Sequence, residues 1–174
     1  MNAFQRQAIL DQVGALESAY DVMLIDTASG IDDNVIYLNS AAQEIVVVAT
    51  PEPSSLTDAY ALIKVLNQRT GETRFSVISN MVQDESEGLW VYRRLSDVSQ
   101  KFLNVSLDYK GFIPMDLNLR AATKSQQLVT RENPQTPASV ALRGISEKLC
   151  AFNGMNFPKG GMQFFWGQLV GQAS

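Results

Sequence analysis

"EIVVVATPEPSSLTDAYALIK", residues 44–64, moves from an apolar β-branched run through two prolines into a helical pattern. Ile45 to Val48 read as a strand buried on both faces of a parallel sheet, since such strands lack the alternation of a half-exposed one. Pro51 and Pro53 break the run. Ser54 or Ser55 can then cap a helix in which Leu56, Tyr60, Ile63 and Leu66 form one apolar stripe. A buried strand that feeds an amphipathic helix is half of a crossover unit.

The same alternation extends in both directions. Upstream, Phe4, Ala8, Val13 and Leu16 recur at roughly helical spacing before the strand "YDVMLID" (20–26), the small polar loop "TASGIDD" and a short helical stretch, "NVIYLNSAA". Downstream come the strand "TRFSVISNMV" (73–82), a helix from about Gly88 to Phe102 and the strand "VSLDYKGFI" (105–113). A helix from about Leu117 to Val129 follows, and another after Pro137 that runs to about Phe152. Strands and helices in this order predict an α/β fold, with a mostly parallel sheet and helices on both faces. Only "NGMNFPKGG" reads as a linker, so a body over 1–152, a linker over 153–160 and a tail over 161–174 are expected.

Composition narrows the chemistry. At 174 residues and 45% hydrophobic, the chain can bury one ordinary core. A formal charge of −4 without a basic cluster argues against direct nucleic-acid binding. One cysteine, Cys150, and no histidine exclude an internal disulfide, Cys/His zinc sites and His-dependent triads. A reducing cytosol is the expected location, and no apolar run approaches the ~20 residues of a spanning helix.

Ligands of open α/β sheets bind at the carboxyl ends of the strands, which singles out the loops beginning at Asp26, Thr50, Asn80 and Pro114. An aspartate that ends a buried strand needs a partner, because an unpaired buried carboxylate costs several kcal/mol. A hydrated magnesium ion would serve for Asp26, and Gly30 would let a backbone N–H approach a phosphate; the alternative is that Asp26 caps the turn. The Asn80 amide both donates and accepts, as an adenine edge requires, although a plain turn asparagine has the same sequence. Pro114 and Asp116 can form a wall and a polar contact for a base, or a strand stop followed by a helix cap.

Together, "DTASGI", "VVVATPEPSSLTDAYALIK", "SNMV" and "GFIPMDLNLRAATKSQQLV" resemble the MinD/ParA group of deviant Walker ATPases, most nearly its FlhG (FleN) branch that controls flagellar number. The resemblance runs from about Tyr20 to Val170. It implies that Asp26 is a water-mediated magnesium ligand, that the Gly30 N–H senses the terminal phosphate, that Asn80 reads adenine, and that Pro114 and Asp116 pack beside the base. It implies ATP and magnesium as cofactors, an ATP-dependent homodimer, and two partners: an FlhF-type GTPase and a flagellar transcription activator.

The family's phosphate loop, KGGxGKT, does not occur in this sequence. "PKGGMQFFW" shares three letters with it, but Lys159 follows no buried strand and aromatics stand where a phosphate would sit. The resemblance puts that loop and its strand before Met1, so the chain reads as the C-terminal part of a domain. It is therefore expected to lack ATPase activity by itself and to expose a sheet edge prone to self-association.

In the tail, Met162, Phe165, Trp166 and Leu169 share one helical face with Phe164 beside them. They are expected to contact either a protein surface or, as the resemblance implies, the membrane peripherally at the inner membrane or cell pole. Only Lys159 supplies the basic charge that interfacial helices usually carry. The rival in another class is a non-catalytic interaction module on the same fold. A receiver domain with Asp26 as phosphoacceptor and Thr50 as switch fails, because no acidic pair ends an earlier strand and no lysine ends a later one.

Overall fold

The computed structural model describes residues 22–151, which fall into two compact units, 22–43 and 44–151. The expected N-terminal helix, the 153–160 linker and the aromatic tail lie outside the described residues.

The larger unit runs β1 (Val46–Ala49), α2 (Pro53–Thr70), β2 (Arg74–Val82), α3 (Glu85–Phe102), β3 (Ser106–Pro114), α4 (Leu117–Lys124), α5 (Val129–Glu132) and α6 (Pro137–Ala151), after α1 (Asp33–Ala41) of the smaller unit. The three strands are parallel and lie in the order β1-β2-β3. Successive crossovers in one direction put their helices on one face, and α2 and α3 do pack against each other. Helix α6 packs on β3, with Ile145 Cγ1 3.3 Å from the place a β-carbon on Gly111 would occupy.

Central β2 buries five consecutive residues, Phe75 to Ser79, as a strand covered on both faces does. Edge strand β1 departs from the expected double burial. Val47 and Ala49 are inside, while Val46 and Val48 are 37% and 53% exposed, so within the described residues of this unit β1 has the alternation of a strand covered on one face.

The expected strand at 20–26 is also corrected. Residues 22–28 form no strand, and Val22, Met23 and Leu24 are exposed, Leu24 by 88%. A strand exists only when its backbone groups find a neighbour, and the described sheet pairs β1 with β2 alone. Asp26 is consequently exposed, which removes the premise that burial demands a partner for it.

Midway along β3, Lys110 is buried between two carboxylates, Asp108 at 2.9 Å and Glu44 at 3.1 Å. Ser76 Oγ donates to Glu44 Oε1 at 2.6 Å, and Lys148 Nζ donates to the Lys110 carbonyl at 2.9 Å. Burial works to remove the Lys110 proton, but its hydrogen bonds to Asp108 and Glu44 outweigh that and hold its pKa above the ordinary lysine value. The cluster fastens the approach to β1, the start of β2, β3 and the end of α6 to one another.

Candidate functional site

Three of the four loops singled out by sequence leave the carboxyl ends of β1, β2 and β3. The first is built by its prolines. Pro53 occupies the first turn of α2, where its missing N–H costs nothing, and Glu52 rather than a serine is the N-cap. Ser55 instead accepts from the Thr50 N–H at 3.0 Å and closes the loop on itself. The side-chain hydrogen bond from Thr50 lowers the Glu52 pKa.

At the second loop, Asn80 is half-buried and its Oδ1 accepts from the Met81 N–H at 2.9 Å. Beyond it Asp84 caps α3, accepting from the Glu87 N–H at 2.9 Å, while Glu87 Oε2 accepts from Gln83 N–H at 2.6 Å. These reciprocal bonds start the helix at Glu85, three residues before the position expected from sequence. Gly88 lies buried in its second turn, where a β-carbon would stand 2.7 Å from Tyr109 Oη and 2.8 Å from Phe112 Cβ. Burial raises the Tyr109 pKa, and the neighbouring Ser79 hydroxyl offsets part of that rise.

The third loop runs through Pro114 into Asp116, the N-cap of α4. Asp116 Oδ1 accepts from the Asn118 N–H at 2.8 Å and Oδ2 from the Ala138 N–H at 3.1 Å. The Ala138 N–H, followed by the Asn118 donors, holds the Asp116 pKa below the ordinary carboxylate value. The carboxylate thus joins the first turns of α4 and α6, which fits the cap reading of this residue.

The structure brings Asn80, Pro114 and Asp116 to one end of the sheet. Asn80 is level with Ile113 and Val82 with Pro114, and the Met115 N–H donates to the Val82 carbonyl at 2.8 Å. Between the loops that leave β1 and β2, an open cleft of about 510 Å³ is lined by Pro51, Gln83, Asp84, Ser86, Glu87 and Trp90, and none of the site residues expected from sequence lines it. Trp90 was not among the residues expected from sequence, although the D-x-x-E signature at Asp84–Glu87 marks the helix start that positions it.

In the smaller unit, Gly30 has φ +109°, a backbone shape suited to glycine, and a β-carbon there would meet nothing within 4 Å. Conformation, not crowding, is what calls for glycine. Among the described residues no group of three or more Asp, Glu, Cys or His is gathered to hold a metal. A lone exposed carboxylate such as Asp26 suits magnesium only in the manner of an ion that keeps most of its waters and takes phosphate oxygens as ligands.

No protein-family model matches the chain. It is 37% identical over 170 residues to the antiactivator FleN of Pseudomonas aeruginosa, covering 98% of this chain and 61% of FleN. It is 30% identical over 165 residues to the flagellum site-determining protein YlxH of Helicobacter pylori, covering 92% of this chain and 55% of YlxH. Among solved structures it matches the MinD cell division protein of Aquifex aeolicus with a TM-score of 0.66 at 22% identity, over 88% of this chain and 62% of that one. The chain therefore spans little more than half the length of the relatives it matches.

Proposed function

Because the chain belongs to the MinD/ParA-type family, we propose that it is the switch and adenine portion of an ATP-binding regulator of flagellar number and placement. The observation that carries this reading is the adjacency of Asn80 and Pro114 at the carboxyl end of β2 and β3, where an open α/β sheet takes its ligand. Asn80 would present its amide to the adenine edge and Pro114 a rigid wall beside it. Asp116 would act as a positioning residue that fixes the loop through its bonds to α4 and α6.

Asp26 would hold magnesium through water, and the Gly30 N–H would meet the terminal phosphate; both roles rest on their match to "DTASG" in the family. Bound magnesium would neutralise phosphate charge and order the phosphate oxygens. In the complete protein the bound state favours a homodimer, and the partners are an FlhF-type GTPase and a flagellar transcription activator. The body spans 1–152, and the aromatic tail supplies a peripheral membrane or protein contact.

Isothermal titration of the chain with Mg-ATP tests the reading. Saturable heat that Asn80→Ala removes supports it. Absence of heat at any nucleotide concentration favours the rival, an interaction module that keeps the sheet and has lost nucleotide. That rival draws on one observation, the full engagement of both Asp116 oxygens by helix N-termini.

A further inference from the structure

The end of β2 carries a feature that the site residues above leave unused. Asn80 pairs with Ile113 and Val82 pairs with Pro114, so Met81 is an extra residue with no partner on β3. Its φ is +57°, in the left-handed region where a β-carbon crowds the backbone. The residue is 48% exposed. Bulges of this kind re-aim a side chain, and a strained non-glycine residue persists where the surrounding structure holds it.

Two neighbours give the re-aimed side chain a context. The Met81 N–H donates to Asn80 Oδ1, which keeps that carboxamide in one of its two flip states. Met115, 60% exposed, follows Pro114, with its N–H on the Val82 carbonyl. A fixed amide and an exposed methionine therefore stand in consecutive positions at the ligand end of the sheet. Sulfur of this polarizability makes favourable contacts with aromatic rings, and a purine is flat and apolar on its faces and hydrogen-bonding at its edge.

We propose that Met81 packs against the purine ring of the bound nucleotide, its bulge aiming the thioether at the ring while Asn80 reads the edge. The inference deepens the nucleotide reading above and depends on it. It also explains why a position whose backbone suits glycine carries a large side chain.

The test uses the full chain labelled with [methyl-13C]methionine and 15N, with the Met81 methyl assigned by Met81→Leu. Mg-ATP should shift the Met81 methyl upfield and move the Asn80 side-chain amide, whereas magnesium tripolyphosphate, which has no ring, should leave the methyl in place. Met81→Gly should weaken ATP binding about three- to tenfold while Tm stays equal or rises, since glycine accepts the positive φ. A structural role alone would lower Tm instead. If ATP moves the Asn80 amide while the Met81 methyl is stationary and Met81→Gly binds as the parent does, the packing role is overturned and the nucleotide reading stands. If ATP at about 10 mM moves neither signal, both fall. A Met81→Gly variant that loses stability together with the response also overturns the packing role.

Discussion

Asp116 and Ala138 lie 22 residues apart, yet a carboxylate oxygen of the first accepts the backbone N–H of the second at 3.1 Å. One side chain thereby closes the first turns of two helices, α4 and α6, and anchors the loop that carries Pro114.

This bond makes the loop sensitive to acid. The Asp116 pKa is depressed below its ordinary 3.8, so its stabilising contribution is complete above that value and is lost as pH falls through the lower folded value. Asp116→Ala should lower Tm at pH 7, and the gap from the parent should close below pH 3.8. Thermal melts between pH 2 and pH 7 check this; a gap that is the same at every pH would rule it out.

Lys110 sits between Glu44 and Asp108 in a buried position, so removing it strands a partly buried carboxylate. Lys110→Ala should cost about 2–3 kcal/mol by urea unfolding, below the usual figure for a fully buried pair because Asp108 is in contact with water. Pairing Lys110→Met with Glu44→Gln should recover most of the loss. A double variant as unstable as the single one would show that the charges are not the cause.

Gly88 is in a helix, where alanine is intrinsically preferred by up to ~1 kcal/mol. Gly88→Ala should nonetheless destabilise by about 1–2 kcal/mol, because the new methyl would overlap Tyr109 Oη at 2.7 Å and Phe112 Cβ at 2.8 Å. An unchanged urea midpoint would mean that α3 and β3 can separate without cost.

The sequence contains no KGGxGKT to neutralise triphosphate charge, and incubation of the chain with Mg-ATP should release phosphate only at the blank rate. Release above blank that Asp26→Ala abolishes would overturn this expectation.

How far these features were legible in advance differs by element. Strand β2 was readable because both of its faces are covered, so that Phe75 to Ser79 form an unbroken buried run of apolar and small residues. The stretch 20–26 has the same kind of run and makes no strand over its described residues, because composition records the wish for burial and not the presence of a pairing neighbour. The helix expected from Leu117 to Val129 ends at Lys124 for a different reason. Gln126 takes φ +56°, and the N–H groups of Gln126 and Gln127 bond back to the carbonyls of Thr123 and Ala122. This is the closing pattern usually announced by glycine, and glutamine gives no warning of it. In the site, Asn80 and Pro114 stood out as strand-end residues. The Met81 bulge did not, since an extra residue between Asn80 and Val82 changes the pairing with β3 and not the composition of the strand.

The order β1-β2-β3 bears on how the protein comes to be. Each described strand lies beside the one synthesised just before it, so both described ladders close through a single crossover. Residues 44–114 can accordingly assemble as they leave the ribosome, strand by strand. Pulse-labelled hydrogen exchange on stalled nascent chains would then find β2 amides protected once α3 and β3 have emerged, and protection that waits for release of the finished chain would exclude this vectorial assembly.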